Sequence, residues 1–137
     1  MKYLKYIILI VVIVLAGYFW LINRSVTDQN GQTDGPGTVE ISFMFEPGNT
    51  VRFEEAYTKQ SLFALTKNIT SREGWGFIFE DYGEMGLLIN QINAKINGDN
   101  NKYWQYFINN DQPMLSVEKF MPQAGDKIEW KFMESEF

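Results

Sequence analysis

The chain has 137 residues, a formal net charge of −5 and an aromatic content of 16%, which is enough for one domain with attachments but hardly for two cores. It contains no cysteine and no histidine, which excludes disulfides, thiolate or imidazole metal sites and the Ser-His and Cys-His pairs of many enzymes. The acidic balance also argues against nucleic acid as a partner, because proteins that bind nucleic acid usually carry a basic patch. We therefore expect a non-enzymatic protein without a cofactor or metal.

Residues 1–24 are predicted to form an N-terminal transmembrane anchor. The 17 residues from Tyr6 to Ile22 carry no charge and give a helix of about 25 Å against a bilayer core of about 30 Å. Lys2 and Lys5 precede this segment and only Arg24 follows it, so the N-terminus is expected in the cytoplasm of a single-pass protein of the cell membrane. A cleaved signal peptide is the alternative, but its apolar region is usually shorter and no A-x-A-like site follows.

Residues 25–37 are predicted to be a flexible linker, and residues 38–137 an extracytoplasmic domain. The linker is polar, with three glycines and one proline, and such a segment cannot bury enough apolar surface to fold. In the domain, Thr38–Glu46 alternates as a half-buried strand, and Thr50–Ala56 returns as its hairpin partner. Apolar residues at helical spacing then predict a short helix over residues 59–69.

The remaining elements of the domain are predicted to be strands. They are Phe77–Tyr82, the apolar run Met85–Asn93, Lys102–Asn109 and Lys127–Phe132. A hairpin followed by one helix and several strands predicts the α+β class, with a β-grasp-like mixed sheet packed on one short helix.

The strand over residues 102–109 is unusual because both of its faces carry aromatic residues. Trp104, Tyr106 and Ile108 share one face, whereas Tyr103, Gln105 and Phe107 share the other. One face must belong to the core, and the other is left for recognition. The sequence does not decide between them, because a slip of one residue in register exchanges the faces.

Two motifs in this half of the chain resemble those of the transcobalamin-like C-terminal domain. The first is Tyr103-Trp104-Gln105-Tyr106 with Asn109, and the second is Gly125-Asp126-Lys127-Ile128-Glu129-Trp130. Upstream, Ser61–Leu65 resembles the early helix of the family and Gly86–Asn97 one of its strands. This family of β-grasp modules occurs in many bacterial surface proteins of unknown function, and it is similar to the C-terminal domain of the vertebrate cobalamin carriers transcobalamin and intrinsic factor.

The resemblance implies a bacterial surface protein that acts as a binding or interaction module of unknown ligand. It names Tyr103, Trp104, Gln105 and Asn109 as candidate ligand-binding residues, because the matching strand and the loop matching residues 109–117 lie near the ligand in the carriers. It also implies an alternative, a corrinoid-binding protein with cobalamin as ligand. This chain lacks the helical domain that completes the pocket of the carriers, so the alternative requires a partner subunit, and a protein partner at the cell surface is expected in either case.

Two further features have ordinary structural interpretations. Gly125 and Asp126 are turn residues that lead into the last strand. Glu80, Asp81 and Glu84 lack the spacing of a calcium loop and are interpreted as a solvated acidic turn. An enzyme that uses carboxylates alone is a second alternative, and it would need two carboxyl groups about 5–10 Å apart in a cleft.

Overall fold

The structure is a computed structural model that describes residues 37–135. The predicted transmembrane anchor and almost all of the predicted linker lie outside these residues. Within residues 37–135, no helix has the length and apolar character needed to cross a membrane. The elements are strands β1 (Thr38–Glu46), β2 (Asn49–Ala56), β3 (Phe77–Asp81), β4 (Leu87–Ile92), β5 (Lys95–Ile96), β6 (Lys102–Ile108) and β7 (Lys127–Glu134), and one α-helix, α1 (Leu62–Arg72).

The hairpin of β1 and β2 forms as the alternation of its residues predicts. Val39, Ile41, Phe43 and Phe45 of β1 are all buried. The two strands pair antiparallel, and Gly48 adopts a φ of 84° in the turn between them, a value that glycine reaches without steric cost. The predicted bounds of β1 are confirmed.

Helix α1 begins and ends three residues later than predicted. Ser61 is its N-cap, and the Ser61 side chain accepts a hydrogen bond from the backbone N–H of Ala64 at 3.3 Å. Capping fixes the start of a helix, because the capping residue is itself non-helical. The apolar stripe of Leu62, Leu65 and Ile69 is buried as predicted.

The main sheet has four strands in the order β2-β1-β7-β6. Its two central strands, β1 and β7, are parallel, with Phe43 opposite Trp130, and both outer pairs are antiparallel. One face of this sheet packs on α1, where the Trp130 Nε1–H donates to Thr66 Oγ1 at 3.0 Å inside the core. We call this the inner face, and the opposite one the outer face.

A second, three-stranded sheet of order β3-β4-β5 lies beside β6, where the sequence predicted a single mixed sheet. Asn97 connects the two sheets. Its Oδ1 accepts the backbone N–H of Trp104 at 2.8 Å, and its Nδ2 donates to the Ile89 carbonyl at 2.9 Å. The general prediction of an α+β domain with one short helix is therefore confirmed, whereas the two-residue strand β5 and the division into two sheets were not predicted.

Candidate binding surfaces around strand β6

Strand β6 turns its tryptophan to the core and its glutamine outward. Trp104, Tyr106 and Ile108 are buried on the inner face, at 5%, 8% and 8% exposure. Tyr103 is 39% exposed, and Gln105 is half-buried on the outer face. The structure thus decides which face of this strand is buried, a point that the sequence left open: the ring of Trp104 packs against other aromatic rings of the core, 5.3 Å from Phe132 between centroids. Ligand binding by any of the four candidates stays a prediction.

The outer face carries a groove that crosses all four strands. Its volume is about 620 Å³. Its lining combines apolar side chains with polar and charged ones: Ser42 and Met44 of β1, Thr50 and Arg52 of β2, Gln105 and Phe107 of β6, Gln112, and Glu129, Lys131 and Met133 of β7. We call this the outer-face groove, and of the four predicted residues it contains Gln105.

Several side chains of the outer-face groove are held in place by their neighbours. The Lys131 Nζ lies 4.5 Å from the ring centroid of Phe107 and 3.0 Å from Glu129 Oε2. Gln112 donates to the Gln105 side-chain oxygen at 3.2 Å, and the Gln105 Nε2 donates to the Glu134 carbonyl at 3.3 Å. These contacts orient polar groups before any ligand arrives, which reduces the entropy lost on binding.

A smaller cavity, the edge cleft, lies at the free edge of β6. Its volume is about 180 Å³, and its lining comes from β4, β6, β7 and the loop over residues 112–117. Trp104 and Gln105 both line it, so the structure brings these two predicted residues together with the loop that the resemblance indicated. Leu88 and Leu115 of this lining are 43% and 46% exposed. Tyr103 and Asn109 do not line the cleft.

Tyr106 fastens the loop of the edge cleft to β6. Its hydroxyl donates to the Leu115 carbonyl. Burial, with a smaller contribution from the charge of Glu118, raises the pKa of Tyr106 to about 12. The sequence did not indicate this hydrogen bond, because it depends on how the loop over residues 112–117 folds back onto β6.

We expect the hydrogen bond between Tyr106 and Leu115 to stabilise the protein less at alkaline pH. The pKa of Tyr106 is raised to about 12 in the folded protein from an ordinary 10.0. The stabilisation by its protonated hydroxyl is therefore complete below pH 10 and is lost as the pH rises from 10 through 12. The measurement is the free energy of unfolding in urea between pH 9 and pH 12, for the wild type and for Tyr106→Phe. The wild type should lose more stability than the variant over this range, and equal slopes would contradict the assignment.

Asn109 joins the end of β6 to the turn that leads into β7. Its Oδ1 accepts the backbone N–H of Lys127 at 3.0 Å, and its Nδ2 donates to Asp126 Oδ1 at 2.9 Å. Asp126 Oδ2 in turn accepts the backbone N–H of Gln123 at 2.8 Å, and Gly125 has a φ of 89°. The interpretation of Gly125 and Asp126 as turn residues is confirmed, and Asn109 has a structural role in the same turn.

The acidic turn also uses its carboxylates locally. Asp81 accepts the backbone N–H of Gly83 at 2.8 Å, and Glu80 accepts hydrogen bonds from the Tyr82 hydroxyl at 2.8 Å and from Asn90 at 3.2 Å. The Tyr82 hydrogen bond lowers the pKa of Glu80. In the part of the chain that the structure describes, no three histidine, cysteine or acidic residues are grouped so that they could hold a metal ion.

Comparisons with known proteins place this domain among others of the same fold. The model of the family described as "Domain of unknown function (DUF4430)" matches residues 64–134, slightly more than half of the chain. No curated protein matches the chain in sequence.

Several solved structures are similar in fold, and two of them are described here. One is a candidate metal-binding protein from Ruminococcus gnavus ATCC 29149, with 18% identity and a TM-score of 0.57 over 72% of this chain and 98% of that chain. The other is haptocorrin in complex with Cbi, with 14% identity and a TM-score of 0.60 over 76% of this chain. The chain spans only 27% of haptocorrin. These matches confirm the resemblance to the transcobalamin-like C-terminal domain that residues 103–106 and 125–130 indicated.

Proposed function

The chain belongs to the family described as "Domain of unknown function (DUF4430)", and we propose that its domain is a non-catalytic binding module whose ligand or partner contacts the outer-face groove. We assign the sheet order β2-β1-β7-β6, with its parallel central pair, to the β-grasp arrangement. The observation that carries the proposal is that α1 covers one face of this sheet, while the other face bears a groove of about 620 Å³.

The groove has the properties of a recognition site. Its volume falls within the range of about 300–1,000 Å³ that is typical of ligand pockets. Met44, Phe107 and Met133 supply apolar contact area, and the oriented amides of Gln105 and Gln112 supply hydrogen-bonding groups. A ligand with an apolar body and a few polar groups fits this combination.

The acidic residues of the outer-face groove and of the edge cleft favour binding over catalysis at these two cavities. The outer-face groove has one carboxylate in its lining, Glu129, which is paired with Lys131, and the edge cleft has none. A carboxylate-only enzyme needs a facing pair. The whole sequence offers no histidine or cysteine to replace the missing partner.

Site-specific photo-crosslinking tests the proposal in the native host. A photoreactive phenylalanine analogue replaces Phe107 in the groove, and in a control it replaces Lys67, which is exposed on α1. We expect an adduct at position 107 that is reduced at least about tenfold by Lys131→Glu in the same chain, and none at position 67. Equal adducts at both positions, or none at position 107, would contradict a binding role for the groove.

The alternative function, corrinoid binding, is favoured by one observation, the meeting of Trp104 and Gln105 with the loop over residues 112–117 in the edge cleft. At about 180 Å³ this cleft is smaller than a typical pocket for a drug-sized ligand. A corrinoid would therefore need a partner subunit to cover it.

A titration separates the two functions. The full chain in a mild detergent is titrated with cobalamin and with cobinamide up to about 100 μM, equivalent to about −5.5 kcal/mol, and tryptophan fluorescence is corrected for corrin absorbance. Under our proposal no saturable change occurs. Saturable quenching that is lost in Leu88→Asp, at the rim of the cleft, would favour the corrinoid alternative.

We also propose that residues 1–24 anchor the protein in the cell membrane and that the domain lies outside the cytoplasm. The support is the uncharged segment from Tyr6 to Ile22 and the two lysines that precede it. Because the chain has no cysteine, a single Glu73→Cys change creates a unique label site. A membrane-impermeant maleimide should label this variant in intact cells, and labelling only after lysis would overturn the proposed orientation.

A further inference from the structure

Strand β2 forms one edge of the main sheet, and the pairing of β2 with β1 determines which of its backbone groups are free. The backbone N–H of Tyr57 donates to the Gly37 carbonyl at 2.7 Å, so Tyr57 points its backbone groups toward the β1 side. Backbone direction alternates along a strand, so Phe53 shares the direction of Tyr57, whereas Arg52 and Glu54 point their N–H and C=O groups away from β1. Within residues 37–135, no backbone hydrogen bond outside the β1 pairing involves Arg52 or Glu54.

The two residues with outward backbone groups carry opposite charges. Arg52 and Glu54 are both exposed and flank Phe53. Among residues 37–135, no carboxylate lies within 4.0 Å of the Arg52 guanidinium. Glu54 accepts one hydrogen bond, from Thr38 Oγ1 at 2.9 Å, and its second oxygen is open to another partner.

This order of charges is self-complementary under a two-fold axis. If β2 meets a second copy of itself antiparallel with Phe53 opposite Phe53, each Arg52 lies opposite Glu54 of the other copy. The free backbone groups of these two residues then face each other as a hydrogen-bonded pair, while the two Phe53 residues form the closer, non-hydrogen-bonded pair. A shift that centres the axis on Arg52 or on Glu54 would place like charges opposite each other, which is destabilising.

We propose that β2 is a homotypic interaction surface, and that its partner is the β2 strand of a second copy of this chain, paired antiparallel about Phe53. The pairing is isologous, as in most two-fold dimers, and it joins two four-stranded sheets into one of eight strands. Because Thr50 and Arg52 form the β2 side of the outer-face groove, the grooves of the two copies then lie next to each other across the axis.

Charged side chains on an edge strand also protect proteins from unwanted pairing. That role needs charge of either sign and no particular order, whereas the homotypic pairing needs opposite charges symmetric about the centre. A single strand edge buries less than the roughly 1,600 Å² of a standard interface. We therefore expect weak association in dilute solution, strengthened where chains are concentrated.

Disulfide trapping measures the register of the pairing. Arg52→Cys and Glu54→Cys are made separately in the full chain, which has no other cysteine, and are mixed in a mild detergent at about 100 μM. Residues of a hydrogen-bonded antiparallel pair have Cα atoms about 5.5 Å apart, within the range of disulfides. The mixed pair also keeps one of the two Arg52–Glu54 contacts. Identical cysteines are displaced by two residues along the strand, about 7 Å, which adds to the strand spacing and exceeds that range.

We expect the mixed disulfide between Arg52→Cys and Glu54→Cys to form at least about tenfold faster than the disulfide of either variant with itself. Lys67→Cys on α1 is the control, and its disulfide should form equally slowly. Charge exchange gives a second, independent measurement. Arg52→Glu should abolish association in sedimentation velocity, and the double variant Arg52→Glu, Glu54→Arg should restore it, while Lys67→Glu on α1, outside both cavities, should leave it unchanged.

Two results would overturn the proposal. One is equal trapping rates for all cysteine pairs, and the other is a double variant that associates no better than Arg52→Glu alone. Near-ultraviolet circular dichroism shows that each variant keeps the native fold, so that a loss of association is not confused with unfolding.

Discussion

Replacing Trp104 by alanine is expected to lower the free energy of unfolding by about 3–5 kcal/mol. The side chain is 5% exposed, and its ring lies 5.7 Å from Phe45 and 5.3 Å from Phe132 between centroids. Its Nε1–H also donates to the Lys95 carbonyl at 3.0 Å, across the boundary between the two sheets. Removal of the side chain leaves a cavity and takes one hydrogen-bond donor away from the Lys95 carbonyl. Urea unfolding followed by far-ultraviolet circular dichroism gives the value.

Two matched variants separate the contributions at this position. Trp104→Phe keeps most of the ring contact but loses the hydrogen bond, and it should cost about 1–3 kcal/mol. Gln105→Ala, at the next residue but on the outer face, should change stability by less than about 1 kcal/mol. A Trp104→Ala variant as stable as Gln105→Ala would show that Trp104 is not part of the core. Binding experiments at the edge cleft should therefore alter Gln105 or Leu88, since changes at Trp104 act first on folding.

Asn109→Ala is expected to cost about 2–3 kcal/mol of stability. The change removes the hydrogen bonds to Asp126 and to the backbone of Lys127, each worth about 1 kcal/mol. It also places a Cβ-bearing residue without a polar side chain at a φ of 50°, and the left-handed region costs such a residue about 1 kcal/mol or more. Denaturant unfolding of the wild type and the variant checks the value.

A glycine at position 109 tests the two causes separately. Asn109→Gly loses both hydrogen bonds but has no conformational cost, so it should be more stable than Asn109→Ala by about 1 kcal/mol. Asp126→Ala removes one of the same hydrogen bonds, and its effect should be less than additive with that of Asn109→Ala. If Asn109→Ala unfolds at the wild-type urea concentration, Asn109 does not stabilise the turn.

The sequence was most informative where one physical rule decides the local structure. The alternation from Thr38 to Glu46 fixed both the bounds and the buried face of β1, because a single buried face requires that pattern. The apolar stripe predicts the helix but places it three residues too early, since the stripe does not show where the helix is capped. Ser61 was the available signal, as a serine directly before the apolar positions is a good N-cap.

Features that depend on contacts between distant segments could not be predicted. Which face of β6 is buried follows from its pairing with β7, Trp104 opposite Phe132, and no pattern within residues 102–109 specifies that register. The second sheet depends on Asn97 reaching both Ile89 and Trp104. The outer-face groove combines side chains from four strands and a loop, so no local pattern outlines it, and Gln105 of its lining is a predicted candidate only because it lies on the aromatic strand.

The parallel pairing of β1 with β7 has a consequence for the synthesis of the protein. Residues 40–44 pair with residues 127–131, so the centre of the sheet closes only after residues 127–131 have been synthesised. Closing such a long loop costs entropy before any contact is gained, which favours slow folding. Until β7 emerges from the ribosome, β1 exposes an unpaired edge, and a nascent chain that stops before residue 127 has no route to the native sheet.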